Sequence, residues 1–309
     1  MMRAAHLFLN VRQVYIFHAV LLTALFIILT TLLIRNGFRS EAFAFLISMA
    51  AVSTWYVPIC LEYTYSFLCM IVGAIFVVRL SLRKQYEQMG VFFMILGMVT
   101  VYFDFLTTET LSLLIPLLLL IRIRNRQEKG TASENWMLSA KCCIAWGIGY
   151  LGMWMMKWVL ASMVLQENVM PYVSGHISER LDGNISGLTG WNYTLQAIVR
   201  NLKCLFPYEY GISGAVLVTV LVALVFFLPV AIGKIRLKEN ISWRNIWLYL
   251  ALGIIPYLRY AVLHNHAYIH ASFTHRAQAS TILALCFICL ELVEPVHTRT
   301  TTPLPTERR

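Results

Sequence analysis

The sequence predicts an all-α fold, a polytopic transmembrane helical bundle of about nine spans. Hydrophobic residues make up 59% of the 309 residues and charged residues only 13%. The apolar runs are continuous and approach the roughly 20 residues that a helix needs to cross about 30 Å of hydrocarbon. They do not alternate as barrel strands do. No segment is polar enough for a soluble domain, so residues 1–296 are expected to form one membrane domain.

The spans follow from these runs in chain order. The third and fifth are short, which predicts tilted helices or a re-entrant pair. The Thr- and Pro-containing end, 297–309, is expected to be a disordered cytoplasmic tail. The predicted spans are 14–34, 42–61, 63–80, 89–107, 110–122, 136–163, 212–233, 246–263 and 277–296.

Charge sets the expected orientation. The loops 79–88, 122–135 and 234–244 together hold eleven Lys/Arg against four Asp/Glu, whereas 166–211 holds three against four. The positive-inside rule places the three basic loops in the cytoplasm, the N-terminus outside and the C-terminus inside. The net charge of +10 therefore reflects orientation and contact with the lipid bilayer, and nucleic acid is not expected as a partner.

The long outer loop, 166–211, contains a predicted amphipathic helix. Its apolar residues recur every three or four positions, while Arg200 and Lys203 lie off that stripe. The helix could lie on the outer leaflet or pack on the end of the bundle, and the pattern fits both. The stripe consists of Trp191, Leu195, Ile198, Val199, Leu202 and Phe206.

Titratable residues within the spans fall mainly toward the predicted outer side. Such groups are costly in hydrocarbon and persist where they meet protein, water or a ligand. Each one alone has an ordinary structural explanation, such as a capping carboxylate or a snorkelling lysine. The inner halves are expected to be poor in such residues, with Lys141 and Glu291 as exceptions. The candidate substrate- or phosphate-binding residues are Asp104, Lys157, Arg259, Asn265, His266, His270 and Arg276.

Three local patterns suggest other chemistry. His266 and His270 have the i, i+4 spacing of metal-binding pairs, so a divalent metal is possible, with Asp104 or Glu109 as a further ligand. An anion-binding His/Arg cluster is the preferred interpretation. The GxGxxG at Gly147–Gly152 lies inside a span, so it predicts close helix packing rather than dinucleotide binding. Cys286 and Cys289 have CxxC spacing but lie mid-helix, which favours an apolar role.

Two longer stretches carry a family resemblance. They are GMVTVYFDFLTTETLSLLIPLLLL at Gly97–Leu120 and HNHAYIHASFTHRAQA at His264–Ala279, with WGIGYLGMWMMKW between them. The chain resembles a group of bacterial multi-spanning envelope proteins with YFDFLT and NHxxxHxxFTxR patterns. That group is similar to the GT-C superfamily of membrane glycosyltransferases.

The resemblance implies a GT-C-like fold in a bacterial cytoplasmic membrane. It implies an enzyme, or an inactive remnant, that uses a polyprenyl-phosphate-linked sugar donor at the outer face to modify an envelope glycan acceptor. Asp104, Asn265, His266, His270 and Arg276 fall on the group's recurring polar positions, and Lys157 matches less closely. Residues 1–13 look like the end of the loop that carries the catalytic carboxylate, so a shortened N-terminus is expected and no catalytic residue is assigned.

Two alternatives remain open at this point. A transporter or flippase of an anionic lipid-linked intermediate would need polar residues along a path through both leaflets. A non-catalytic membrane scaffold subunit would use the outer polar layer only to bind a partner.

Overall fold

A computed structural model describes residues 8–103, 106–128, 131–182, 187, 190–206, 212–233 and 235–295. Over these residues the chain is built from helices. They are α1 (Val11–Arg35), α2 (Arg39–Ala51), α3 (Leu61–Leu82), α4 (Met89–Phe103), α5 (Thr110–Glu128), α6 (Ala132–Leu165), α7 (Met170–Asp182), α8 (Gly190–Leu202), α9 (Ile212–Ala231), α10 (Trp243–Val262), α11 (His264–Ile269), α12 (Ala271–Thr274) and α13 (Ala279–Leu292).

Short elements join these helices. The 3₁₀ turns are Thr54–Ile59, Tyr86–Gln88 and His275–Gln278. A small antiparallel ribbon pairs β1 (Ile235–Leu237) with β2 (Val293–Pro295) and sets Arg236 opposite Glu294. The sequence did not suggest this ribbon. Its second strand occupies the end of the last predicted span, 277–296. The predicted tail, 297–309, lies outside the described residues.

The all-α membrane architecture is confirmed in its coarse form. Among the described residues, six helical segments are long and apolar enough to cross a membrane. The remaining predicted spans overlap α2, α5 and α9, which are not among these six segments, so the count of nine crossings stays a prediction. The six segments are Val11–Arg35, Leu61–Leu82, Tyr86–Phe103, Ala132–Leu165, Trp243–Val262 and Ala271–Leu292.

Local chemistry explains the start of α1. The Asn10 side chain accepts a hydrogen bond from the Gln13 backbone N–H at 2.9 Å, and the Gln13 side chain accepts one from the Asn10 N–H at 2.8 Å. This reciprocal cap satisfies two N–H groups that the helix leaves open.

The second predicted span is interrupted. Helix α2 is only 13 residues long and is followed by Ser53, whose φ of 54° is left-handed, and by a 3₁₀ turn containing Pro58. A helix of that length covers about 20 Å. The uninterrupted span predicted for 42–61 is therefore wrong. The third and fifth spans, predicted to be short, are helices of 22 and 19 residues instead.

Helix α5 occupies the centre of the bundle. Its side chains from Leu111 to Ile121 are buried, and it packs against α3, α4, α6, α10 and α13. The peripheral helices α1 and α6 instead expose large apolar side chains, such as Val20 and Ile148. An apolar exterior around a packed core is the arrangement expected in lipid, where every backbone polar group must be satisfied internally.

Glycines bring α4 and α6 together. A Cβ at Gly97 would lie 2.3 Å from the Trp146 carbonyl oxygen, and one at Gly149 would lie 2.0 Å from that of Met94. Only glycine allows so close an approach. Within the GxGxxG pattern, close packing is therefore confirmed at Gly149, whereas a Cβ at Gly147 or Gly152 would meet nothing within 4 Å.

The bundle has two ends that differ in chemistry. The basic end holds the turn after α3, the end of α5 and the β ribbon, because Arg124 lies 5.1 Å from the Tyr86 ring and Lys238 contacts Glu291. The histidine end holds residues 264–278, together with α7 and α8.

Candidate functional site at the histidine end

The His-rich segment folds into consecutive short helices rather than a loop. Helix α10 gives way to α11 at Leu263, and α12 leads through a 3₁₀ turn into α13. This compact path keeps His266 and His270 one turn apart, with ring centroids separated by 4.8 Å. The side chain of His266 is buried and that of His270 is half-buried.

Three predicted site residues meet in one cluster, which we call the histidine–arginine cluster: Tyr63, His266, His270, Phe273 and Arg276. The His270 ring stacks on Phe273 at 4.9 Å, and Phe273 stacks on Tyr63 at 6.1 Å. The Arg276 guanidinium lies 4.6 Å from the centre of the Tyr63 ring and donates to the Ser272 carbonyl at 2.6 Å. A series of aromatic contacts thus links a buried cation to two imidazoles through Tyr63 and Phe273.

Arg259, another predicted site residue, forms a buried ion pair. Its guanidinium donates to both carboxylate oxygens of Glu109, through Nε and through Nη2 at 3.0 Å, and to the Leu106 carbonyl at 2.5 Å. Each side chain of the pair is 6% exposed. The fork-like contact fixes the segment before α5 against the end of α10.

Asn265 holds the extramembrane helices in place. It accepts a hydrogen bond from the Tyr193 hydroxyl at 2.5 Å and donates to the Glu179 carbonyl at 2.7 Å. Burial, with a smaller contribution from Tyr268, raises the pKa of the Tyr193 phenol, which therefore remains a neutral donor.

The predicted amphipathic helix exists as α8, and its two faces have different neighbours. Asn201 donates to the Ala267 carbonyl at 2.9 Å and accepts from Thr274 at 2.7 Å, so a small polar face packs on the protein. The apolar stripe faces outward at Trp191 and Leu195, which are 79% and 56% exposed. This geometry combines both interpretations left open by the sequence, and contact of the stripe with lipid stays a prediction.

Lys157 stands apart from the cluster. Its Nζ donates to the Val101 carbonyl at 3.2 Å, in the last turn of α4, where a cation complements the helix dipole. This contact is a capping interaction. Asp104 lies outside the described residues.

No group of three His, Cys, Asp or Glu side chains suited to a metal ion is assembled within the described part of the chain. Glu109, considered as a third ligand beside His266 and His270, pairs with Arg259 instead. The chemistry available in the cluster is cationic and aromatic, which suits an anionic group.

An apolar cleft of about 670 Å³ lies between α1, α3 and α4. Its lining includes a polar pair, in which His18 Nε2 lies 3.2 Å from the Tyr65 hydroxyl, and Tyr65 stacks on Phe103 at 5.6 Å. The first turns of α3 thus contribute to two places, Tyr63 to the cluster and Tyr65 to the cleft.

Buried charge also lies at the basic end of the bundle, where Glu291 was one of the two exceptions that the sequence predicted. At the basic end, Arg122 donates to Glu41 at 2.9 Å and to Glu291 at 2.5 Å. Arg126 adds a contact to Glu41 at 2.8 Å and Lys238 one to Glu291 at 3.4 Å. These five residues form what we call the basic-end network. The sequence carried one signal for this network. Glu41, Arg122 and Glu291 lie near those ends of three predicted spans that face the same side, and Arg122 has the opposite charge to the two glutamates.

Comparisons of the chain with protein families, with curated proteins and with solved structures find no match. The GT-C resemblance therefore stays a prediction from sequence motifs.

Proposed function

We propose that the chain is a GT-C-like membrane glycosyltransferase, or a remnant of one, that binds a polyprenyl-phosphate-linked sugar at the histidine end. The observation that supports this most directly is the histidine–arginine cluster. It holds a buried guanidinium and two imidazoles beside aromatic rings, at the end of apolar helices. A phosphate group is the anion for which such donors are suited.

The chemistry assigned to the cluster is stabilisation of the leaving group. In glycosyl transfer the acceptor hydroxyl oxygen bonds to the anomeric carbon, the carbon–oxygen bond to phosphate breaks, and the phosphate keeps the electron pair. Arg276, His266 and His270 would neutralise the charge that develops there. A carboxylate would take the acceptor's proton, and no described residue is assigned that role.

The apolar cleft supports a lipid-linked donor rather than a soluble one. Its lining is almost wholly apolar and it lies between helices suited to hydrocarbon, so an isoprenoid chain could lie there without losing apolar contact. The cluster and the cleft both adjoin the first turns of α3, where Tyr63 contacts Phe273 and Tyr65 contacts Phe103.

Arg276→Ala tests the proposal. We expect the affinity of the purified protein for a fluorescent polyprenyl phosphate to fall at least tenfold, about 1.4 kcal/mol. Arg276→Lys keeps the charge but cannot hold two phosphate oxygens at once as a guanidinium can. Partial recovery of the affinity is therefore expected.

The control for this test is Arg244→Ala, which removes an exposed arginine at the basic end. Thermal unfolding in detergent checks that each variant is folded. Unchanged binding by a folded Arg276→Ala protein would exclude the phosphate-binding role. Sugar transfer from the same donor in proteoliposomes then separates an enzyme from a remnant.

Transport is a second candidate, favoured by polar networks at both ends of the bundle. The described core between them is apolar, however, because α5 is packed with buried leucine and isoleucine from Leu113 to Ile121. Movement of a labelled polyprenyl phosphate across reconstituted vesicles, without sugar transfer, would rank transport above the enzyme.

A further inference from the structure

A cavity of about 940 Å³ with a mixed polar and apolar lining lies at the basic end. Its walls come from the start of α2, the end of α5, α9, the end of α13, the β ribbon and the segment before α10. The side chains with exposed or partly exposed polar groups include Ser40, Arg126, Lys238 and Asn240.

The carboxylates at this cavity are already neutralised by the protein. Glu291 receives Arg122 and Lys238, and Glu294 receives Arg236 at 2.7 Å. Counting the described residues of the lining and their ion-pair partners, four cations meet three carboxylates. The cavity therefore has an excess of positive charge.

Arg126 retains unused hydrogen-bonding capacity. Both of its hydrogen bonds to the described residues leave from Nη1, to Glu41 at 2.8 Å and to the Gly37 carbonyl at 3.2 Å. The Nε and Nη2 hydrogens are not used in those contacts. The side chain is 41% exposed, and its guanidinium lies 5.1 Å from the Phe38 ring, which helps to fix its plane.

Lys238 is the second available cation. Its contacts with the described residues are long, 3.4 Å from Nζ to Glu291 and 3.5 Å to the Leu290 carbonyl, and its side chain is 27% exposed. An ammonium in this position can shift toward a stronger acceptor without breaking a short bond.

We propose that this cavity binds a phosphate-bearing headgroup. Arg126 would hold two phosphate oxygens through Nε and Nη2, and Lys238 would supply the second charge. Asn240, which is exposed at the cavity, provides a neutral amide donor for the remaining oxygens or for the polar part of the headgroup.

This site is separate from the proposed donor site and does not rest on it. Glu109, at the histidine end, immediately precedes α5, and Arg122, at the basic end, lies within it 13 residues later, about 20 Å at 1.5 Å per residue. One phosphate cannot bridge that length, so the two sites can be tested independently.

The test measures binding of fluorescent phosphatidylglycerol to the full chain in detergent micelles. We expect Arg126→Gln and Lys238→Gln each to weaken binding at least tenfold, because each removes a cation that contacts the phosphate. Lys238→Gln leaves the Arg122 and Arg126 contacts to Glu41 intact, which keeps the test valid if Arg126→Gln unfolds. Arg83→Gln, an exposed basic residue of the same end outside the cavity lining, should leave the affinity unchanged.

Competition identifies the source of the phosphate. Displacement by glycerol phosphate or inorganic phosphate indicates a soluble phosphate ligand. Displacement only by unlabelled phosphatidylglycerol indicates a lipid headgroup. Either result supports the site. Equal affinity in wild type and both cavity variants would overturn it. An equal loss in Arg83→Gln would also overturn it, because the binding would then be general surface electrostatics.

Discussion

Two buried carboxylates, Glu41 and Glu109, each receive an arginine at one end of α5. A charge in a low-dielectric interior is costly unless it is paired and hydrogen-bonded. Both pairs meet that condition, Glu109 through two contacts from one guanidinium and Glu41 through two arginines. These side chains therefore fix where α5 begins and ends relative to its neighbours.

Glu109→Gln should destabilise the protein by about 3–5 kcal/mol, because it leaves the Arg259 charge buried without its carboxylate. Thermal or denaturant unfolding in detergent measures the effect. Glu87→Gln, at an exposed glutamate of the basic end, serves as the control and should be neutral.

A double replacement sharpens the interpretation. Glu109→Leu combined with Arg259→Met should recover most of the lost stability, since an apolar pair of similar volume avoids the desolvation cost. No recovery would mean that Glu109 or Arg259 stabilises the fold through contacts other than their pairing.

Sequence reasoning found the residues of the candidate site more easily than their partners. His266, His270 and Arg276 lie within eleven residues, so local spacing alone brought them together. Glu109 and Arg259 are 150 residues apart, and Arg122 and Glu291 are 169 apart. Nothing local specifies which distant helix supplies a counter-ion, so these pairings required the three-dimensional packing.

The contact between α4 and α6 depends on glycine rather than on apolar side chains. Gly97 and Gly149 face backbone carbonyls of the opposite helix. The two main chains are in direct contact there, with no side chain between them. Small residues serve this purpose in membranes, where lipid competes for apolar surface and close approach supplies the dispersion energy.

Gly149→Ala should weaken this packing by about 1–3 kcal/mol, because the new methyl group would overlap the Met94 carbonyl. Gly147→Ala and Gly152→Ala are matched controls in the same helix. They meet open space, and alanine is the better helix former, so they should be neutral or slightly stabilising. Equal effects of all three substitutions on the unfolding midpoint would contradict the packing role.

Helix boundaries were predictable where caps and turns mark them. The predicted span 14–34 lies within α1, whose ends carry the Asn10 cap and Gly37 at a φ of 84°. The break after α2 was missed because the apolar run continues through it. Pro58 was the available signal, since proline inside a helix removes a hydrogen bond and forces a kink.

The whole chain is a layered membrane protein, with polar clusters at both ends and an apolar centre around α5. The membrane architecture followed from composition because hydrocarbon permits few structures. The orientation of the bundle follows from charge alone and stays a prediction. The basic end is expected to face the cytoplasm.

Single cysteines in a cysteine-free background would test that orientation. Lys84→Cys lies in the turn of the basic end and Gln196→Cys on the exposed side of α8. A membrane-impermeant maleimide should label Gln196→Cys in intact cells and Lys84→Cys only after the membrane is opened. The reverse pattern would invert the topology and place the histidine end in the cytoplasm.

The position of Arg122 between two carboxylates has a consequence for how the chain is made. Synthesis proceeds from the N-terminus, so Glu41 is already present when Arg122 emerges, whereas Glu291 follows 169 residues later. Until then the guanidinium has one acidic neighbour instead of two. The arrival of α13 thus gives Arg122 its second carboxylate and joins the last long helix to α2 and α5 at the basic end.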